Sequence, residues 1–259
     1  MSTQYQFGDT NLAAHRLEVL AGVYADSTRA FLRKTATNGP RLALDLGCGP
    51  GFTTHLLADT VKCEQVVGLD SSEHFISLAK NTGTDCVSFC THDVTSVPFP
   101  VEASDLIFCR YLLSHLREPH VLVARWATQL RPKGLLLMEE NEWIVTHNEV
   151  FALYLNIVDA MLEHQSAELY VGKTLNSLKD SDILGKKSSE VRKVRVPTRR
   201  AAGMFYLNIQ TWKHQPFIRE NYQASVIEDL QNDLEKLAGK SGDEISIEWG
   251  LRQIVFERK

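Results

Sequence analysis

Residues 41–51 read Arg41-Leu42-Ala43-Leu44-Asp45-Leu46-Gly47-Cys48-Gly49-Pro50-Gly51. An apolar run ends in an acid, and glycine then recurs at every second position. Such a run predicts a buried strand over 42–46 that turns sharply into a helix. Glycine has no Cβ, so backbone N–H groups in the turn can approach a ligand closely. The stretch marks an α/β chain with a cofactor loop at the end of its first strand.

Working outward, the same rhythm repeats. Residues 52–60 carry a helical pattern, with Phe52, Leu56 and Leu57 on one face. A second apolar run, 65–69, ends at Asp70. Ser71 and Ser72 offer N-caps for a helix bearing Phe75, Ile76, Leu78 and Ala79. A third strand over 87–90 leads to His92-Asp93, and Pro98 and Pro100 mark a loop. Residues 105–109 form a fourth strand, 119–130 a helix, Arg131-Pro132-Lys133-Gly134 a turn, and 135–138 a fifth strand. Strands alternating with helices predict a parallel sheet covered on both faces, with right-handed crossovers.

The ends of the chain depart from that rhythm. Residues 1–40 read as a helical cap, with Leu12, His15, Arg16, Val19, Leu20 and Val23 at helical spacing. Beyond residue 141, helices are expected over 151–164, 200–213 and 218–237, and strands over 191–196 and 245–256. One alternative makes this last part a separate small C-terminal domain.

Composition bounds the class. The 259 residues suit one domain, or one with insertions. A net charge of −4 gives no electrostatic footprint for nucleic acid. No apolar run approaches the roughly 20 residues needed to span a bilayer. The N-terminus lacks the basic-then-apolar pattern of a signal peptide. Five cysteines without paired C-x-x-C spacing indicate neither a disulfide scaffold nor a zinc site. Cys63, Cys86, Cys90 and Cys109 fall in or near apolar runs and are expected as core thiols. A reducing cytoplasm is the simplest setting, with a monomer or homodimer, a small-molecule partner, and no nucleic acid, membrane or metal.

The glycine spacing narrows the cofactor. The dinucleotide fingerprint G-x-G-x-x-G would place its third glycine at Phe52, which is large. Gly47, Gly49 and Gly51 give G-x-G-x-G instead, preceded by Asp45. This resembles the first motif of the class I S-adenosylmethionine (SAM)-dependent methyltransferases. Further matches are Val67-Gly68-Leu69-Asp70-Ser71-Ser72, His92-Asp93-Val94 and Leu130-Arg131-Pro132-Lys133-Gly134-Leu135. The segment 105–116 is similar to the branch related to quinone-biosynthesis and small-molecule enzymes. The resemblance spans roughly residues 41–140. It implies a Rossmann-like, doubly wound, seven-stranded, mostly parallel sheet with an antiparallel last strand. A helical lid would come from residues 1–40 and an insertion at about 198–240 within a domain of residues 41–259.

The residues offer matching chemistry. Ligands sit beyond the carboxyl ends of strands in such sheets, where Asp70, Asp93 and Arg110 all fall. A carboxylate only accepts hydrogen bonds, so Asp70 suits a ribose diol, although NAD would use an acid there too. The resemblance assigns Asp93 to the adenine amino group and the Val94 N–H to the ring. Gly47, Cys48, Gly49, Gly51 and Ser71 would line the cofactor. Asp45 orients the turn or meets the SAM ammonium through water. Arg110 is a departure from the branch, which commonly carries a small or neutral residue there; it would bind the SAM carboxylate or an anionic substrate, or be a surface arginine. Tyr5-Gln6-Phe7-Gly8 and Arg16-Leu17 resemble the cap segment of related small-molecule enzymes, which implies that Tyr5 and Arg16 close over SAM.

Positioning alone can supply roughly 7–11 kcal/mol toward a displacement. A base adds about 10²–10⁴-fold where the acceptor loses a proton. His115 is the expected base, ahead of His147 and His214. Tyr111, Trp143, Tyr154, Tyr206 and Trp212 are candidates for an aromatic acceptor pocket or for core. Lys186, Lys187, Arg192, Lys193, Arg195, Arg199 and Arg200 read as a charged edge strand and loop. The expected function is methyl transfer to a small molecule. The alternatives are a non-catalytic SAM-binding protein and an NAD(P) oxidoreductase.

Overall fold

The computed structural model describes residues 8–36, 39–242 and 244–259. Tyr5 lies outside the described residues. Seven strands form one sheet: β1 (Leu42–Leu46), β2 (Gln65–Asp70), β3 (Val87–Thr91), β4 (Ser104–Arg110), β5 (Leu130–Thr146), β6 (Leu184–Val196) and β7 (Ile247–Arg258). Their order is β3-β2-β1-β4-β5-β7-β6. The five strands from β3 to β5 are parallel, and β7 runs antiparallel to both β5 and β6. The chain winds outward from β1 to β3 and returns to β4, so the order reverses between β1 and β4. That crevice is where open α/β sheets bind ligands.

Every residue of β1 is buried, as a strand covered on both faces requires. Alternation along the strands sends side chains to opposite layers. Ala43, Phe108, Leu137 and Val255 pack with Phe31 and Leu32 of α1 (Asn11–Thr35) and Leu57 of α2 (Phe52–Val61). Leu44, Ile107, Met138 and Ile254 meet Leu122 and Trp126 of α4 (Pro119–Ala127) on the other face. The α3 helix (Glu73–Lys80) begins at Ser72, whose hydroxyl accepts the Phe75 N–H at 3.1 Å.

The largest difference from expectation is β5. It runs for 17 residues rather than the predicted 135–138. The predicted Arg131–Gly134 turn is an irregularity within it, where the register with β4 jumps from Ser104↔Leu130 to Leu106↔Leu135. At its far end β4 stops at Arg110↔Glu139, while β5 continues to Thr146 paired only with β7. Seven residues past β4 extend the sheet by roughly 23 Å. Glu139, Glu140 and Asn141 look like the end of a strand in the sequence, but β7 pairs with them.

On this extension sits a helical lobe: α5 (Glu149–His164), α7 (Thr198–Trp212), α8 (Pro216–Asn221) and α9 (Ala224–Ala238), with the short α6 (Gly172–Ser177) nearer the sheet. The single helix expected over 218–237 is two, because Tyr222 and Gln223 take extended backbone angles. No glycine or proline announces that break. Because β6 and β7 complete the main sheet, the late segment is joined to it through two strands rather than standing apart.

Candidate functional site

The site grows from the carboxyl end of β1. Gly47 and Cys48 both donate their N–H groups to the Leu69 carbonyl, at 2.8 and 3.1 Å, which folds the turn toward β2. Gly47 has φ +66° and Gly51 φ +94°. A Cβ on Gly47 would lie 2.7 Å from Leu112 Cδ1, and one on Gly51 2.7 Å from the Phe89 ring. Both positions demand glycine for conformation and for space. Gly51 caps α2 without any side-chain bond.

Asp70 closes the turn from β2. Its Oδ2 accepts the Gly49 N–H at 2.8 Å and its Oδ1 the Ser72 N–H at 2.9 Å. The Ser71 N–H is also directed at this carboxylate, which offers about four lone-pair sites and so keeps acceptor capacity. Burial raises the Asp70 pKa, and the N–H bonds from Ser72 and Gly49 oppose that shift. Ser71 is exposed beside it. Asp93 is also exposed, and its Oδ1 is held by the Thr95 N–H and hydroxyl at 2.9 and 2.7 Å. Val94 is buried, and its carbonyl accepts Trp126 Nε1 at 2.8 Å. Glycine turn, Asp70 and Asp93 thus follow three successive strands on the same edge of the sheet.

Asp45 is buried beneath the turn. The hydroxyls of Thr53 and Thr54 donate to its Oδ2 at 2.6 and 2.7 Å. Burial lifts its pKa to about 6, against the pull of those two bonds and of the Arg110 charge. Asp45 therefore fastens the start of α2 to β1.

The α1 helix straps the site. Ala13, Ala14 and Leu17 pack against Phe75 and Leu78 of α3, and Leu17 also meets Gly49. Ser72 donates to Asp9 Oδ2 at 3.0 Å, and the His74 ring pairs with Asn11 Oδ1 at 3.1 Å. Arg16 is 4% exposed, and its charge acts on His115. The sequence-predicted Arg16 and His115 are therefore brought together. Burial and that charge hold the His115 pKa down at about 3. The ring is neutral at physiological pH and a weak proton acceptor, so an orienting role suits it better than the expected general base.

Arg110 is no surface residue. It is buried, and its Nη1 donates to Thr28 Oγ1 at 2.9 Å. Thr28 in turn donates to Glu139 Oε2 at 2.7 Å, and Glu139 Oε1 accepts from Ser27 at 3.2 Å and Gln253 at 3.0 Å. Arg110 joins this network, which docks α1 on β4, β5 and β7. Its neighbour Glu140 points to the opposite face. Its Oε1 accepts the Leu112 and Leu113 N–H groups, both at 2.8 Å, and burial raises its pKa to about 7. Glu140 thereby holds the tight turn Leu113–His115 and presents Leu112 to Gly47. Sequence reasoning missed Glu139, Glu140, Thr28 and Gln253. The available signal was the acid pair directly after an apolar run.

The aromatic candidates divide. Tyr111, Tyr154 and Trp212 belong to the lobe core or pack on it, whereas Trp143 lies beside Gly250 with Lys193 over its ring, and Tyr206 pairs with Glu235. Lys186 to Arg195 lie on the expected edge strand, where Lys187 pairs with Glu257, and Lys193 and Arg195 with Glu248, whereas Arg199 and Arg200 fall in α7 rather than in a loop. Cys109 is a core thiol, Cys63 and Cys90 are half-buried, and Cys86 is exposed, against expectation. Two clefts lie elsewhere. One of about 430 Å³ sits at the opposite ends of the strands, around Arg41, Asp105 and Arg131. The other, about 330 Å³, lies between α5 and α9. Neither borders the glycine turn.

A family model described as a methyltransferase domain matches residues 44–138, from β1 into β5. Residues 44–138 thus carry a methyltransferase domain. Trans-aconitate 2-methyltransferase of Escherichia coli is 35% identical over 101 residues, and that match takes in 39% of each chain. The chain thus spans about two fifths of the length of that curated relative. The methyltransferase domain also shares its fold with Bacillus halodurans protein BH2331, at 18% identity and a TM-score of 0.57 over 90% of this chain and 99% of that one. Coclaurine N-methyltransferase, solved with S-adenosylhomocysteine (SAH), gives 16% and 0.52 over 90% and 72%. SAM is the cofactor of the methyltransferase domain. The glycine cradle and the remaining acceptor capacity of Asp70 fit it. Among the described residues no helix is long and apolar enough to cross a membrane.

Proposed function

We propose that this chain is a cytoplasmic SAM-dependent methyltransferase acting on a small molecule. The observation that carries this is Asp70, bonded to the Gly49 and Ser72 N–H groups and retaining acceptor capacity at the turn. Bound SAM supplies a sulfonium methyl for in-line displacement by the acceptor. Asp70 would hold the ribose diol, and Gly47, Cys48, Gly49 and Gly51 the chain of the cofactor, with Ser71 alongside. Asp93 and Val94 would take the adenine. Asp45 keeps the turn in place, Arg16 and Tyr5 belong to the segment that closes over it, and Arg110 acts by docking α1. His115 orients in its neutral form. Residues 1–40 and about 198–240 serve as the lid over the domain of residues 41–259.

The dinucleotide alternative has no support at its third glycine position, because Phe52 begins α2 there. The E. coli relative's name specifies trans-aconitate, a tricarboxylate, but the family match ends at Met138, before the lobe. Titration calorimetry of the full chain with SAM and with NAD tests the cofactor, and transfer of labelled methyl to a metabolite panel tests turnover. NAD binding without SAM binding would overturn the proposal.

A further inference from the structure

Beside the glycine turn, β4 leaves the sheet through a strained residue. Tyr111 has φ +53°, a conformation that non-glycine residues rarely adopt. Such conformations persist only where the surroundings hold them. The Tyr111 N–H donates to the Glu139 carbonyl at 3.1 Å, so this residue is still tied to β5. The chain then makes one tight turn. The His115 N–H donates to the Leu112 carbonyl at 3.0 Å, and the Leu116 N–H to the Leu113 carbonyl at 3.2 Å.

Glu140 fastens this turn from the neighbouring strand. Its side chain is fully buried, its Oε1 accepts the Leu112 and Leu113 N–H groups at 2.8 Å, and the Ser114 N–H is directed at the same carboxyl. Hydrogen bonds to an ionised acceptor are roughly twice as strong as those to a neutral one. The turn is therefore held most firmly while Glu140 carries its charge. The clasp bears on the cofactor loop through Leu112, whose Cδ1 lies 2.7 Å from where a Gly47 Cβ would be. Leucine at this position is the surface on which the first glycine of the loop rests.

Several charged or titratable groups face Glu140. Glu139 precedes it on β5, Cys109 acts on it from β4, and Arg252 of β7 is its partner in register. Arg252 is bonded to Glu142 and Ser189, so its charge is already engaged. His115 closes the turn as a neutral ring, with Arg16 acting on it.

We infer that Glu140 is a positioning residue for SAM, whose negative charge keeps Leu112 seated on Gly47 and so sets the affinity for the cofactor. This rests on the methyltransferase proposal and adds to it a control of cofactor binding by proton concentration. In the free protein burial places the Glu140 pKa at about 7. A cofactor that binds the ionised form binds more tightly as the pH rises through 7, opposite in direction to the effect on folding stability. The ionised fraction, and the affinity with it, rises about tenfold from pH 6 to pH 8.

The test is titration of the full chain with SAH at pH 6, 7 and 8, for the wild type, Glu140→Gln and Leu112→Ala. The wild type is expected to bind about tenfold more tightly at pH 8 than at pH 6. Glu140→Gln keeps an acceptor oxygen for the turn but no charge, and should lose most of that rise. Leu112→Ala keeps the charge but leaves it nothing to seat on Gly47, and should lose most of the rise as well, the coupling expected of residues that act as one unit. A wild-type affinity that is level or falls with pH would overturn the inference without any variant. So would the full wild-type rise in Glu140→Gln, which would assign it to Asp45 or Asp70, or in Leu112→Ala, which would separate the charge from the turn. If Glu140→Gln does not fold, the other two profiles still decide. No SAH binding by the wild type at any pH would overturn the methyltransferase proposal and the inference together, whereas binding without the expected profile overturns the inference alone.

Discussion

Asp70 Oδ2 accepts the Gly49 N–H at 2.8 Å, so the end of β2 and the turn after β1 are one unit. Removing that carboxylate removes both the proposed diol acceptor and a tether of the turn. Asp70→Ala should weaken SAM binding about 100-fold, from hydrogen bonds to a charged group worth about 1.5–3 kcal/mol each. Asp70→Asn, which keeps one acceptor oxygen, should lose less. Calorimetry reads both, and wild-type affinity in the alanine variant would remove Asp70 from the site.

Gly47→Ala should be damaged twice. Alanine at φ +66° costs about 1–2 kcal/mol, and its Cβ would press on Leu112 Cδ1. The double variant Gly47→Ala with Leu112→Ala relieves the contact but not the backbone strain. It should therefore recover SAM affinity only in part relative to Gly47→Ala. Full recovery would mean that the backbone conformation is no constraint.

Glu140 gives the protein a pH-dependent stability of stated sign. Its folded pKa is raised from 4.5 to about 7 by burial, so the native state binds its proton more tightly than the unfolded chain. Stability from this group is full below about pH 4.5 and falls as the pH rises toward 7, by about 3 kcal/mol in total. Asp45, raised to about 6, acts in the same direction, so the comparison must be between variants. Glu140→Gln retains an acceptor for Leu112 and Leu113. Urea midpoints at pH 5, 6, 7 and 8 should fall less steeply for it than for the wild type, and parallel curves would refute the assignment.

Thr28 joins Arg110 to Glu139 beneath α1. Thr28→Val keeps the shape and leaves the buried Arg110 and Glu139 side chains each short of one hydrogen bond. The expected loss is about 2–4 kcal/mol, against less than about 1 kcal/mol for Thr28→Ser. Hydrogen exchange in α1 should rise in the valine variant alone. A valine variant as stable as the serine one would show that the network does not dock the helix.

The cofactor edge was legible because its signals are local. A glycine is needed wherever φ is positive, and an acid at a strand end is placed by the strand itself. Hence the glycine turn at Gly47 and Gly51 and the acids Asp70 and Asp93 at strand ends could be located before any tertiary contact was known. Ser72, one of two proposed caps, also follows from a bond three residues long. The length of β5 was illegible, since nothing local marks Glu139 and Glu140 as strand until β7 is placed beside them. Arg110 and His115 were found, but their burial and neighbours were not legible, because those come from segments distant in the chain.

The sequence by itself determined the alternating fold, the glycine turn and the type of cofactor, all encoded in spacings of a few residues. The tertiary structure decided the rest. The Arg110–Thr28–Glu139 network, the Glu140 clasp, the pairing of Arg16 with His115 and the Tyr24–Tyr111 ring contact join distant segments. Gln253 Nε2 reaches Ser27 across 226 positions. No local pattern specifies such a pairing, because the partners share only a place in the packed sheet, and burial there sets their charge and their hydrogen bonds.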